Sequence, residues 1–153
     1  MLLWFDCDIG TMILIKKAEQ SDFDGVYTLL RQLWPKGKLI KNTAQKMYKE
    51  RLKNPYSISF VAVEGKIIGY ASGFVIQDYQ SNGDVALLTE LVVDEVHRNN
   101  GLGKKLLRKI IKEAKKYGCK ELQFSSNFKR KRAHKFYESL GYSKTAYYFW
   151  KKI

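Results

Sequence analysis

A chain of 153 residues with 45% hydrophobic and 14% aromatic residues is too apolar to be disordered and long enough to bury one ordinary core, so a single domain is the simplest organisation. Its 28 Lys+Arg against 15 Asp+Glu leave a formal charge of +13, a field that attracts nucleic acid, acidic membranes or a polyphosphate cofactor without choosing among them. Two cysteines, Cys7 and Cys119, exclude a disulfide framework, and with only His97 and His134 beside them no metal-ligand cluster can be drawn. The start, MLLWFDCDIG, has no basic leader and breaks its apolar run at Asp6 and Asp8. No run is long enough to span a bilayer, and a soluble, cytoplasmic protein is expected.

Residues 1–11 fit nothing that follows and read as an N-terminal extension or an extra edge segment. Met12 opens MILIKKA, a plausible first strand. Ser21 or Asp22 can cap a helix whose apolar positions Phe23, Val26, Tyr27, Leu30, Leu33 and Trp34 recur at helical spacing, with Pro35 and Gly37 ending it. Residues 43–53 read as a second, weakly amphipathic helix stopped by Asn54-Pro55. Strands at 56–63 and 67–77 are joined by Glu64-Gly65-Lys66, and Ser81-Asn82-Gly83-Asp84 turns the chain into a strand at 85–93. A helix over 101–117 places Leu106, Leu107, Ile110, Ile111, Ala114 and Tyr117 on one face and seven basic residues on the other, with Gly118 as its C-terminal cap. A short strand at 120–126, a helix at 130–140 and a final strand at 142–150 complete the chain. Antiparallel hairpins followed by a β-loop-α-β unit describe an α/β or α+β sheet domain.

The stretch 87–107, LLTELVVDEVHRNNGLGKKLL, organises this pattern. A strand, a glycine loop and a helix N-terminus make an anion site, because the first helical turn leaves N–H groups unpaired and the helix dipole favours negative charge there. Gly101 and Gly103 remove the Cβ atoms that would hold phosphates away. A Walker A loop is excluded, since Arg98 stands where its first glycine belongs and Lys105 replaces its hydroxyl. The dinucleotide fingerprint fails at its third glycine, occupied by Leu106. What remains is R-x-x-G-x-G, formed by Arg98, Asn99, Asn100, Gly101, Leu102 and Gly103.

With Glu90 in the preceding strand and Val93-Asp94 leading into the turn, this segment resembles the acetyl-coenzyme A pyrophosphate loop of the GNAT superfamily of N-acetyltransferases. The run from Val63 through Tyr70 is similar to a central strand pair of those domains. RKRAHKFYESLGY supplies a second resemblance: Ala133, Tyr137, Gly141 and Tyr142 match A-x-x-x-[YF]-x-x-x-G-[FY] position for position. The resemblance covers about residues 12–152 and implies one N-acetyltransferase domain over 12–153. Its implied fold is a mixed, mostly antiparallel sheet of about six strands flanked by about four helices.

That resemblance implies direct transfer of an acetyl group from acetyl-CoA to a primary amine in a ternary complex, without a metal. It places the pantetheine arm along Leu91, Val92 and Val93, and the pyrophosphate on the Arg98–Gly103 loop and Lys104. Where many members have a pantetheine-contacting Asn, three residues before the matching Ala, this chain has Arg130, with Asn127 nearby. Tyr137 is the candidate general acid for the leaving thiolate, since a phenol can protonate it; an apolar packing residue like Phe136 is the plainer reading. Glu90 is the candidate base, acting directly or through water, because burial in an apolar strand favours a carboxyl that accepts a proton. An outward-facing Glu paired with a lysine reads the same way in sequence. His97 and His134 read as exposed loop and helix residues, and Cys119 carries no nucleophile signature.

The rival classes are a basic nucleic-acid-binding module, favoured by the clusters at 104–116 and 129–135, and a non-catalytic acetyl-CoA sensor. No nucleic-acid motif emerges, and no nucleic-acid or membrane partner is expected. The acceptor is expected to be a small or weakly charged amine, lined by Trp34, Tyr79, Tyr147, Tyr148 and Trp150, in a monomer or homodimer.

Overall fold

Alternating side chains along three long strands set the frame. In the computed structural model, which describes residues 12–153, β2 (Ser57–Glu64), β3 (Lys66–Asp78) and β4 (Gly83–Val93) form an antiparallel meander. β1 (Leu14–Lys17) pairs antiparallel with β2, and β5 (Leu122–Gln123) lies parallel to β4, giving the order β1-β2-β3-β4-β5. Gly65, at φ +69, supplies the left-handed residue of the β2–β3 turn, and Asn82, at φ 51, that of the next. The proposed extension at 1–11 lies outside the described residues.

Successive residues of β2 point to opposite faces, and each face has its own helices. Ile58, Phe60 and Ala62 join a core with Leu102, Leu106, Leu107, Ile110 and Ala114 of α3 (Leu102–Lys116). Val61, with Tyr70 and Val92, joins a second core built by Phe23, Val26 and Leu29 of α1 (Phe23–Leu33) and by Ala44 and Tyr48 of α2 (Lys41–Lys53). The Tyr48 hydroxyl donates to the Glu19 carbonyl at 2.9 Å, which fixes the rotation of α2. α4 (Lys131–Ser139) packs Phe136 and Tyr137 against the α3-side core. Between them the helices cover both sides of β3, whose residues 68–73 are all buried. No helix among the described residues is long and apolar enough to cross a membrane.

Several boundaries differ from the sequence expectation. The second helix starts at Lys41, two residues early, because the Ala44 N–H reaches the Ile40 carbonyl at 2.9 Å. The strand at 120–126 contracts to Leu122–Gln123, and the one at 142–150 does not form, so the sheet has five strands instead of about six. Aromatic propensity suggested that last strand, but Tyr147, Tyr148, Phe149 and Trp150 are consecutive, without the alternation that seats a strand on a core. All four are exposed.

Between β3 and β4 the register slips: Ser72 faces Glu90 and Gly73 faces Leu88, leaving Thr89 as the extra residue of a bulge. Gly73 is required there, because a Cβ would run into the Leu87 carbonyl and lie 3.1 Å from the Leu88 Cα. Gly73→Ala is therefore expected to cost about 1–3 kcal/mol of stability by prising the two strands apart at the bulge. Urea unfolding checks this; an unchanged midpoint would show that the strands relax freely.

Candidate active site

β4 and β5 are paired only at Ala86–Leu122 and Leu87–Gln123, yet β4 continues to Val93. Beyond Leu87 its outer edge is open. The Asp94 N–H bonds the Ile68 carbonyl at 2.8 Å, and in an antiparallel ladder inward and outward peptide groups alternate. Val92 therefore faces Tyr70 with its polar backbone groups, whereas Leu91 and Val93 present theirs to the open edge. Arg98 Nε already donates to the Val93 carbonyl at 3.0 Å, so this side chain braces the loop against the strand end.

The open edge leads to the N-terminus of α3. Asn99 and Gly101 take left-handed conformations, at φ 68 and φ 74, and curl the loop. The first helical bond runs from Lys105 N–H to Gly101 carbonyl at 3.1 Å, and no side chain caps the helix. The N–H groups of Leu102, Gly103 and Lys104 thus have no helical acceptor. Nothing occupies the space a Gly101 Cβ would take. Gly103 differs from expectation: a Cβ there would approach Phe136 Cζ to 3.2 Å, so packing against α4 also bears on this position. Lys104 and Asn100 are exposed beside the loop, and Arg132 Nη2 donates to Asn99 Oδ1 at 2.6 Å.

That contact between Phe136 and Gly103 brings the two sequence motifs together. Beside Phe136, the Tyr137 ring packs on Phe124 and Tyr142 at centroid distances of 4.4 and 6.0 Å. Burial pushes its phenol above the usual range, against a smaller opposing pull from Arg130, so it stays protonated at neutral pH. Arg130 Nη2 reaches back to the Leu33 carbonyl at 3.0 Å, tying α4 to the end of α1. The Asn127 Oδ1 accepts the Lys129 N–H at 3.0 Å and braces its own turn.

Glu90 is not the isolated carboxylate the strand pattern suggested. Its Oε2 receives Arg51 Nη1 at 2.7 Å, Thr89 Oγ1 at 2.6 Å and the Ser72 hydroxyl. Arg51 and Glu90 side chains are only 16% and 14% exposed. The half-buried carboxylate is thus paired with a guanidinium and two hydroxyls. Nothing local in the sequence singled out Arg51 among 28 basic residues; it is brought there from α2 across β3. Gly73 was the one visible trace of the bulge that carries Thr89.

A second polar knot secures the end of β4. Asp94 accepts Gln32 Nε2 at 2.8 Å, and His97 lies between Asp94 Oδ2 at 2.9 Å and Glu64 Oε2 at 3.1 Å. His97, expected to be exposed, instead joins β2 to the loop, and Gln32 Oε1 accepts the Glu95 N–H at 3.1 Å from α1. Of the aromatic residues expected to line an acceptor pocket, Tyr79, Tyr147, Tyr148 and Trp150 are strongly exposed and Trp34 is 38% exposed.

The model of the acetyltransferase (GNAT) family matches residues 23–142. The chain is 26% identical over 147 residues to the aminoalkylphosphonate N-acetyltransferase of Salmonella typhimurium, covering 95% of each. It is 25% identical over 139 residues to the aminoglycoside N(6')-acetyltransferase type 1 of Serratia marcescens, covering 88% of this chain and 92% of that one. Among solved structures, the aminoglycoside N-acetyltransferase AAC(6')-Iy in complex with CoA matches with a TM-score of 0.85 at 22% identity, over 94% of this chain and 96% of that one. This last match shows a common fold.

The Asp94 knot has a pH signature. The Gln32 hydrogen bond, helped by His97 and Lys66 and opposed by burial, holds this carboxyl below the usual carboxylate range. A depressed folded value stabilises the protein above the unfolded value of about 4 and loses that contribution as pH falls through the folded one. Asp94→Asn should therefore lower urea stability at pH 7, and the gap from wild type should shrink as pH drops from about 5 towards 3. A gap independent of pH would assign the effect to packing.

Proposed function

We propose, from the premise that the chain belongs to the acetyltransferase (GNAT) family, that the cleft between β4 and β5 is where its acetyl transfer occurs. The enzyme is an N-acetyltransferase that moves an acetyl group from acetyl-CoA to the amine of a small molecule. The observation that carries the placement is the early parting of β4 from β5, which leaves a backbone edge running directly to an uncapped helix N-terminus. An extended arm with amides can add to such an edge, and its pyrophosphate can meet the N–H groups of Leu102, Gly103 and Lys104.

In this reading Leu91 and the Val93 N–H hold the pantetheine arm, and a backbone N–H of the same edge polarises the thioester carbonyl. Arg98 keeps the loop in place, while Lys104, Asn99 and Asn100 border the phosphates and Arg130 anchors α4 beside them. Val92 contributes through the core it fills, and Asn127 through its turn. Glu90 receives an N–H of the acceptor. As the amine nitrogen bonds to the thioester carbon, the C–S bond breaks, the nitrogen's surplus proton passes to Glu90 or to water, and Tyr137 protonates the departing thiolate. The acceptors named for the two curated relatives, aminoalkylphosphonates and aminoglycosides, support a small-molecule amine.

Isothermal titration with acetyl-CoA tests the site. Gly101→Glu and Gly103→Glu should each abolish binding, the first by charge and left-handed strain, the second by charge and collision with Phe136; circular dichroism confirms that the variants are folded. Tyr137→Phe should keep acetyl-CoA affinity and lower kcat by about a hundredfold. A folded wild-type protein that does not bind acetyl-CoA refutes the placement.

A further inference from the structure

Glu90 Oε2 is saturated: Arg51, Thr89 and Ser72 all donate to it. Oε1 is different. Among the described residues it receives only Arg51 Nη2 at 3.5 Å, too long for a full hydrogen bond, so its lone pairs remain available. Arg51 is likewise half spent. Nη1 serves Ser72 at 2.6 Å, Thr89 at 2.9 Å and Glu90, whereas Nε has no partner among the described residues and Nη2 only that long contact. The guanidinium carbon sits 4.7 Å from the Phe74 ring centroid, which fixes its plane. The result is one free carboxylate oxygen beside a fixed, cationic fork with donors to spare.

We propose that Arg51 is the specificity-determining residue of the acceptor site, selecting a small acceptor with one ammonium group and a nearby anionic group such as a phosphonate or carboxylate. The inference rests on the acetyltransferase reading above. The acceptor's amine meets Glu90 Oε1, and its anion meets the unused N–H groups of Arg51, whose planar fork suits such oxyanions. Among the described residues, the two acidic groups at the hairpin end of β3 and β4 do not offer a polyamine or aminoglycoside a second carboxylate beside Glu90. Asp78 is held by Ser81 at 2.7 Å and the Gln80 N–H at 3.1 Å, and Asp84 lies at the hairpin end of β4, roughly 20 Å along the strand from Glu90. The Arg51 charge and the surplus of 28 basic over 15 acidic residues add repulsion. Arg51 also acts through Glu90, as a positioning residue that holds Oε2 and so turns Oε1 outward.

The test compares wild type, Arg51→Lys and Arg51→Met in steady-state acetylation, with coenzyme A titration as the control. Three probe amines are used: 2-aminoethylphosphonate (ammonium with anion), propylamine (ammonium alone) and kanamycin A (several ammonium groups). Wild type should favour 2-aminoethylphosphonate by about tenfold or more in kcat/KM over both others. Arg51→Met should raise KM for 2-aminoethylphosphonate about tenfold more than KM for propylamine, and Arg51→Lys should keep part of the preference, because it keeps the charge without the fork. Coenzyme A affinity should not change in either variant. The proposal is overturned if kanamycin A is preferred, if Arg51→Met keeps the full wild-type preference for 2-aminoethylphosphonate over propylamine, or if wild type binds coenzyme A and acetylates none of the three. Failure to bind coenzyme A at all removes the acetyltransferase reading itself and this proposal with it.

Discussion

The site depends on how little β4 and β5 share. A parallel neighbour reached through α3 could have paired along the whole of β4, and it pairs at two positions. The rest of β4 is pressed onto β3, where the bulge at Thr89 twists the strand and Gly73 lets the two backbones close up around it. The free edge, the orientation of Glu90 and the approach to the α3 N-terminus all follow from that geometry. Helices on both faces make it durable: α3 fills one core mainly with leucine and isoleucine, and α1 with α2 fills the other with Phe23, Val26, Leu29, Ala44 and Tyr48.

Charge is distributed with more order than a net +13 suggests. Glu113 of α3 engages Lys116 of its own basic face at 2.7 Å and Lys17 of β1 at 2.8 Å. Arg51, Arg98, Arg130 and Arg132 each bind a named group within the fold. These arginines are tied into the fold, whereas Lys104 and Lys105 stay exposed beside the glycine loop, where they would favour a polyanion.

Much of this was readable in the sequence because it is local. The glycine loop, the Glu64-Gly65-Lys66 turn and the apolar stripe of α3 are set by residues a few positions apart, and the motif around Tyr137 carried the family resemblance. What stayed hidden is nonlocal. The donors gathered on Glu90 come from α2, β3 and β4, and the turn after β4 is tied to distant elements, to β2 through His97 and Glu64 and to α1 through Asp94 and Gln32. The missing final strand is the opposite case: aromatic composition signalled a strand, but pairing depends on an edge that composition does not describe.

A seam of two ladder pairs also shapes how the molecule moves. The β2–β3–β4 meander joins neighbours in sequence and closes over short loops, whereas β5 must wait for α3 to fold and return before it can dock. The least local seam of the sheet is thus also its shallowest. In the proposed cleft the outer wall is held by two ladder pairs and the inner one by a full antiparallel ladder, so an arm entering between them would displace β5 before it disturbed the carboxylate, bulge and loop.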